Sequence, residues 1–104
     1  MARSTQKILA DPEAKTSRKD MYMMGMRNNP YPYMADRLIS IVRDGNNETM
    51  FRKDAADVLG WFTRAWNRAE IITALQEILK EENLPEVLSE EISKTIARLE
   101  VYCR

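Results

Sequence analysis

Hydrophobic residues recur along most of the chain at the spacing of an α-helix, and no stretch sustains the alternation of a β-strand. Leu38, Ile41 and Val42, for example, share one helix face, because residues three or four apart are neighbours on a helix surface. Turn-forming residues interrupt the pattern at Asp44-Gly45-Asn46 and at Asn83-Leu84-Pro85. The pattern predicts an all-α fold, with helices at roughly 31–43, 48–66, 69–82 and 86–102.

The ends of two of these helices carry specific signals. Gly45 follows the first helix, at a place where a glycine in the left-handed conformation ends many helices. Asn67 precedes the third helix and Glu70 stands three residues later, which is the spacing of a capping box. Gly45 can therefore take a left-handed backbone there, and we expect a side-chain cap at Asn67.

The four predicted helices contain an internal repeat. When the sequence is displaced by 37 residues, the apolar positions of the first two helices fall on those of the last two. The matched pairs are Leu38 with Leu75, Ile41 with Ile78, Val42 with Leu79, Phe51 with Leu88, Ala55 with Ile92, Leu59 with Ile96, Phe62 with Leu99, and the turn residues Asn46 with Asn83. A period of about 20–50 residues is typical of stacked repeats. The repeat predicts two stacked antiparallel helix pairs, with Ile41, Leu59, Leu75 and Ile96 at the centre of the core.

The first unit of this repeat resembles a HEAT-like repeat. The residues that carry the resemblance are Asp44 in the turn, Arg52 early in the next helix, and then Ala55, Ala56, Leu59 and Gly60. In the second unit the residues that correspond to Asp44, Arg52 and Gly60 are different, namely Glu81, Ser89 and Ala97. The resemblance covers about residues 31–102 and implies a short α-solenoid that acts as a scaffold for partners. An ordinary four-helix bundle with helices of equal length is the alternative.

The first thirty residues differ from the repeats in composition. They contain six basic and three acidic residues, and four methionines stand close together between Met21 and Met26. Methionine is flexible and common at adaptable binding surfaces, so Met23 and Met24 are candidate partner-binding residues. Alternatively this segment covers the open end of the first helix pair, because two repeats make an incomplete stack. We expect residues 1–30 to form a helical or extended segment that joins the helical unit of residues 31–104 in one compact domain.

The composition disfavours most catalytic and metal-binding chemistry. The chain of 104 residues has no histidine and one cysteine, Cys103, so it lacks a nucleophile–histidine pair, an internal disulfide and a cysteine cluster for zinc. Its three glycines are isolated, which excludes a glycine-rich phosphate loop. We expect a protein that is not an enzyme and that uses no cofactor or metal. No apolar run suits a signal peptide or a membrane span, so we expect a cytoplasmic protein without a membrane partner.

Trp61 is the residue that most suggests a binding surface. The repeat places it at the position of Arg98, so the fold does not require an apolar side chain there, and Trp61 is expected to face solvent. An exposed tryptophan beside arginines is typical of a binding hot spot. The other residues expected on this face are Lys53, Asp57 and Arg64, and the equivalent face of the last helix offers Lys94 and Arg98 as further partner-binding candidates. Alternatively Trp61 packs beneath the N-terminal segment. Trp66 is expected to fill a corner between the repeats.

Two functions agree with these features. One is a small interaction module or adaptor that binds a protein, or a second copy of the chain as a homodimer, through the second-helix face or the Met/Tyr-rich segment. The other is a nucleic-acid-associated regulator, in which Tyr22 or Trp61 stacks on bases beside basic residues of the N-terminal segment: Arg3, Lys7, Lys15, Arg18, Lys19 and Arg27. Sixteen basic and sixteen acidic residues balance over the chain, which favours the first function.

Overall fold

The computed structural model of the chain describes residue 9, residues 16–27 and residues 31–101. These residues form helices and turns without a β-strand, which confirms the all-α class for this part of the chain. The α-helices are α1 (Thr16–Met24), α2 (Ala35–Arg43), α3 (Thr49–Leu59), α4 (Arg68–Ile78) and α5 (Glu86–Val101). Short 3-10 turns at Gly25–Arg27 and Pro32–Met34 follow α1 and precede α2. Four residues singled out in the sequence, Arg3, Lys7, Lys15 and Cys103, lie outside the described residues.

Helix α3 lies at the centre of the packing. It contacts α1, α2 and α5, and α4 contacts α2 and α5. The four residues predicted at the centre of the core, Ile41, Leu59, Leu75 and Ile96, are all buried. The matched apolar positions of the two units are also buried in both units, except that Leu79 is only half-buried where Val42 is fully buried. Burial of these side chains supplies the main driving force for the fold.

Side chains, rather than Gly45, close the turn after α2. The helix ends where Asp44 adopts an extended backbone, and none of the described glycines, Gly45 included, has a positive φ. The last helical carbonyls need partners from outside the helix. Asn47 Nδ2 donates to the Ile41 carbonyl at 3.2 Å, and Arg52 Nε donates to the Val42 carbonyl at 2.8 Å. Gly45 therefore does not use the left-handed conformation available to it, because these donors satisfy the carbonyls that such a cap would satisfy.

Helix α3 ends at Leu59, well before residue 66, where the predicted helix ended. The following residues form tight turns, in which the backbone N–H groups of Gly60, Trp61 and Phe62 each donate to the carbonyl three residues earlier. Phe62 is fully buried although it lies outside the helix. Its position continued the helical spacing of apolar residues, which is why the sequence pattern predicted a longer helix.

Asn67 is the residue before α4, but its side chain does not cap that helix. Its Nδ2 donates to the Pro32 carbonyl at 3.0 Å, and Glu70 is exposed. This bond joins the turn before α4 to the turn before α2, and Asn67 itself is buried. The predicted capping box is wrong, because the Asn67 side chain accepts no capping hydrogen bond and its amide nitrogen donates to a carbonyl 35 residues away in sequence.

The methionines of the N-terminal segment divide between core and surface. Met23 and Met26 are buried in the core, where α1 and the turn after it contact α3. Met24 is half-buried against the same core, and Met21 is exposed. The segment thus covers α3, and the assignment of Met23 to a partner-binding surface is wrong for this conformation because its side chain has no exposed area.

Leu59→Ala should lower the free energy of unfolding by about 2–5 kcal/mol, because it removes a fully buried side chain and leaves a cavity. Met50→Ala is the matched control, since Met50 lies on the same helix and is exposed; its effect should stay within about 0.5 kcal/mol. Urea unfolding followed by circular dichroism measures both. Equal midpoints for the two variants would contradict the position of Leu59 in the core.

A second pair of variants tests whether α1 belongs to the core. Met23→Ala should cost about 2–5 kcal/mol of unfolding free energy, whereas Met21→Ala on the same helix should cost less than about 0.5 kcal/mol. The difference follows from the burial of Met23 and the exposure of Met21. Thermal or urea unfolding of the full chain measures it, and similar stabilities would show that α1 contributes little to the fold.

Candidate functional site

Trp61 lies in the turn directly after α3, with 39% of its surface exposed. Two guanidinium groups lie over its ring. The ζ carbon of Arg98, from α5, is 4.9 Å from the ring centroid, and that of Arg27, from the turn after α1, is 5.1 Å away. These distances are within the range of cation–π contacts. Both expectations for Trp61 therefore hold in part, because the indole reaches solvent and also packs against the N-terminal segment.

Asp57 connects the two arginines. It lies on α3, four residues before Trp61. Its Oδ2 is 3.7 Å from Arg27 Nε, and its Oδ1 is 3.9 Å from Arg98 Nη1. Ion pairs of this length at a surface add little stability. Their effect is to orient the two guanidinium groups against the indole. We call Arg27, Asp57, Trp61 and Arg98 the Trp61 cluster.

Gly60 allows α5 to approach the end of α3 at this cluster. A Cβ at residue 60 would lie 3.2 Å from Arg98 Nη1, 3.4 Å from Thr95 Oγ1 and 3.1 Å from the Asp57 carbonyl oxygen. Such contacts are tight, and a larger side chain would have to displace one of these groups. The absence of a side chain at Gly60 thus permits the close crossing that brings Arg98 to Trp61.

A buried hydrogen bond holds this crossing. Thr95 Oγ1 donates to the Ala56 carbonyl at 2.8 Å, and both residues are buried. Ala56 is in the last turn of α3, where helical carbonyls lose their usual partners. The N–H of Gly60, which would be the α-helical donor to Ala56, donates to the Asp57 carbonyl instead. The Thr95 hydroxyl therefore satisfies a carbonyl at the end of α3 and fixes α5 against it.

The structure brings together part of the predicted site. The ion pair of Asp57 with Arg98 and the contact of Arg98 with Trp61 join residues that the sequence placed on equivalent faces of the two units. Arg64 and Lys94 are exposed and Lys53 is half-buried. Among the described residues none of these three makes an ion pair or a hydrogen bond to the cluster. Lys53 and Lys94 each lie one helical turn before a cluster residue on the same helix, so they flank the cluster without joining it.

Arg27 is the member of the cluster that the sequence did not assign to this surface. It was grouped with the basic residues of the N-terminal segment as a possible nucleic-acid contact. The burial of Met23 and Met26 holds that segment on α3, and Arg27 follows Met26 directly. The sequence shows only that a basic residue follows a methionine, which does not specify which side chain the arginine contacts.

Trp66 does not fill a corner between the repeats. Its side chain is 79% exposed, so that prediction is wrong. Tyr31 and Tyr33 are also exposed and their ring centroids are 5.9 Å apart. These tyrosines flank Pro32, whose carbonyl accepts the hydrogen bond from Asn67, the residue after Trp66. The chain therefore carries exposed aromatic residues at both turns that this hydrogen bond joins.

The remaining surface offers few chemical features. Within the described residues, no group of three or more Cys, Asp or Glu side chains could hold a metal ion. One side of α4 has a shallow, open depression lined by small and acidic residues: Ala69, Glu70, Thr73, Ala74 and Glu77. None of the helices described is both long and apolar enough to cross a bilayer.

Comparisons with known proteins return no relative. No family model, no curated protein and no solved structure matches the chain. The resemblance to a HEAT-like repeat accordingly stays a prediction from the sequence.

Thr95→Val should lower the free energy of unfolding by about 1–3 kcal/mol, because valine keeps the shape of threonine but leaves the buried Ala56 carbonyl without its donor. Thr73→Val is the control: the Thr73 hydroxyl makes the same kind of bond, to the Ala69 carbonyl at 3.1 Å, but is exposed, so water replaces it. Chemical denaturation compares the two. A Thr95 variant as stable as the Thr73 variant would contradict the role of this bond.

Proposed function

We propose that this chain is a small non-catalytic interaction module that binds another protein through the Trp61 cluster. The observation that carries the proposal is a half-covered tryptophan with two arginines held over its ring. Tryptophan and arginine are the residues most enriched at binding hot spots. Burial of the exposed part of the indole in an interface would be favourable, at roughly 25 cal/mol per Å² of apolar surface.

The proposal includes a short HEAT-like stack, in which α2 and α3 form one antiparallel pair and α4 and α5 the other. The contact pattern supports it: besides the contacts within each pair, α2 contacts α4 and α3 contacts α5. A second support is the ion pair between Arg52 Nη2 and Glu81 Oε2 at 3.9 Å, since Glu81 occupies the repeat position of Asp44. In such a stack Asp57 lies on the second helix of the first pair, and Trp61 follows that helix directly. Arg98 lies on the second helix of the second pair.

A nucleic-acid partner is the second candidate, because Arg27 of the basic N-terminal segment contacts Trp61. Two features favour a protein partner. The guanidinium groups already lie over the ring on which a base would stack. Asp54, Glu90 and Glu91 also place negative charges along α3 and α5, where an extended phosphate chain would run.

The two tryptophans provide a matched test of the proposal. The experiment compares three tagged full-length chains: wild type, Trp61→Ala and Trp66→Ala. Each is used to capture partners from a cytoplasmic extract of the native host, because the single cysteine suits a reducing compartment. We expect Trp61→Ala to weaken partner binding by about 30-fold or more, the equivalent of a hot-spot residue, while Trp66→Ala retains it.

Thermal unfolding of each variant provides the control for folding. Trp61→Ala should keep its stability within about 1 kcal/mol of wild type, as most changes at a partly exposed surface do. A Trp61→Ala variant that is folded and captures the same partners at wild-type affinity would overturn the proposal.

A further inference from the structure

We infer that the Trp61 cluster binds an acidic segment of the protein partner, with Arg27 and Arg98 as the groups that contact its carboxylates. This inference rests on the proposed function and adds the chemical class of the partner. It also assigns the N-terminal segment a part in the site, because Arg27 comes from that segment and Arg98 from α5.

The first argument is the charge within the cluster. Two guanidinium groups share the single carboxylate of Asp57, so the cluster carries a net charge of +1 when its side chains are ionised. The flanking residues Lys53 and Lys94 add positive charge one turn away on the same helices, and Asp54, also one turn from Asp57, offsets one of these charges, so the site stays net positive. The whole chain, in contrast, has a net charge of zero. The basic character is therefore local and complementary to a negatively charged ligand.

The second argument is the hydrogen-bonding capacity that remains at the cluster. The Asp57 contacts, at 3.7 and 3.9 Å, are longer than an N–H···O hydrogen bond of about 2.7–3.2 Å. Within the described residues neither Arg27 nor Arg98 makes a shorter hydrogen bond. Their side chains are 42% and 41% exposed, so N–H groups of both can reach a ligand. A guanidinium group can hold a carboxylate with two parallel hydrogen bonds.

The third argument is that both guanidinium groups lie against the same indole ring and the same carboxylate before any ligand binds. The Trp61 ring lies beneath both, and Asp57 contacts both from α3. Long side chains usually lose about 0.5–1.5 kcal/mol each when a partner immobilises them. Because the cluster already restricts Arg27 and Arg98, less of this entropy is lost on binding. Their arrangement favours a ligand whose carboxylates meet the arginines and whose apolar group covers the part of the indole that the arginines leave exposed.

The acidic residues nearby favour a short acidic segment over a polyanion. Asp54 lies on α3 one turn before Asp57, and Glu90 and Glu91 lie on α5 one turn before Lys94. A nucleic acid that ran along either helix would meet these carboxylates. A few carboxylates on a peptide can instead meet the arginines without extending over the acidic positions.

The test uses the full chain with Trp66→Phe, so that Trp61 is the only tryptophan and its fluorescence reports on the cluster. The probes are a short peptide of alternating glutamate and serine that contains one leucine, the same peptide with glutamine in place of glutamate, and an oligothymidylate of the same charge as the acidic peptide. We expect saturable binding of the glutamate peptide, weaker at high salt, and at least about 10-fold weaker binding of the other two probes.

Arg27→Gln and Arg98→Gln should each weaken binding of the glutamate peptide by about 10-fold or more. Arg37→Gln and Arg43→Gln are matched controls, because they remove the same charge from exposed arginines of α2, and they should change binding by less than about 2-fold. Arg27→Lys and Arg98→Lys keep the charge but lose the planar fork, and they should bind with intermediate affinity. Thermal unfolding checks that each variant is folded.

Three results would overturn the inference: no binding of the glutamate peptide, equal losses in the α2 controls, or an oligothymidylate that binds as tightly as the acidic peptide. Failure of the inference differs from failure of the proposed function. If capture of the cellular partner depends on Trp61 but not on salt, Arg27 or Arg98, only the acidic-segment inference fails. If the glutamate peptide binds as expected but the Trp61→Ala chain captures the cellular partner at wild-type affinity, the proposed function fails.

Discussion

The hydrogen bond from the Thr95 hydroxyl to the Ala56 carbonyl is the contact on which the arrangement of α3 and α5 depends. Helix α3 is the central helix, and its last turn is buried, so the carbonyls there need donors that water cannot supply. Turn N–H groups satisfy three of them, and Thr95 satisfies the fourth from a different helix. Because Gly60 has no side chain, α5 can come close enough for this bond and for the contact of Arg98 with Trp61.

The N-terminal segment links stability to the candidate site. Met23 and Met26 bury their side chains against the helical unit, and this burial holds the turn that carries Arg27 beside Trp61. The same segment therefore covers part of the core and completes the cluster. A change that loosens α1 would also remove one guanidinium group from the indole, so core and site are coupled through a few residues.

Much of the helical framework was predictable from the sequence. The periodicity identified the four helices after residue 31 and the buried residues at their centre. An apolar stripe along one side of a helix marks the side that packs into the core. The errors lie where side chains make tertiary contacts. Asn67 bonds to Pro32 instead of capping α4, and Asn47 and Arg52 satisfy the carbonyls after α2, so Gly45 needs no left-handed conformation. Local spacing carries no information about such distant partners.

The sequence by itself determined the all-α class, the alternation of helices and turns, and the apolar faces of the helices, because all of these follow from residue spacing along helices. Only the tertiary structure decided that Trp66 is exposed, that Met23 is in the core and that Arg27 contacts Trp61. The reason is physical, because those outcomes depend on which segments, distant in sequence, pack against each other. The spacing of residues within one helix does not specify which segment packs against that helix.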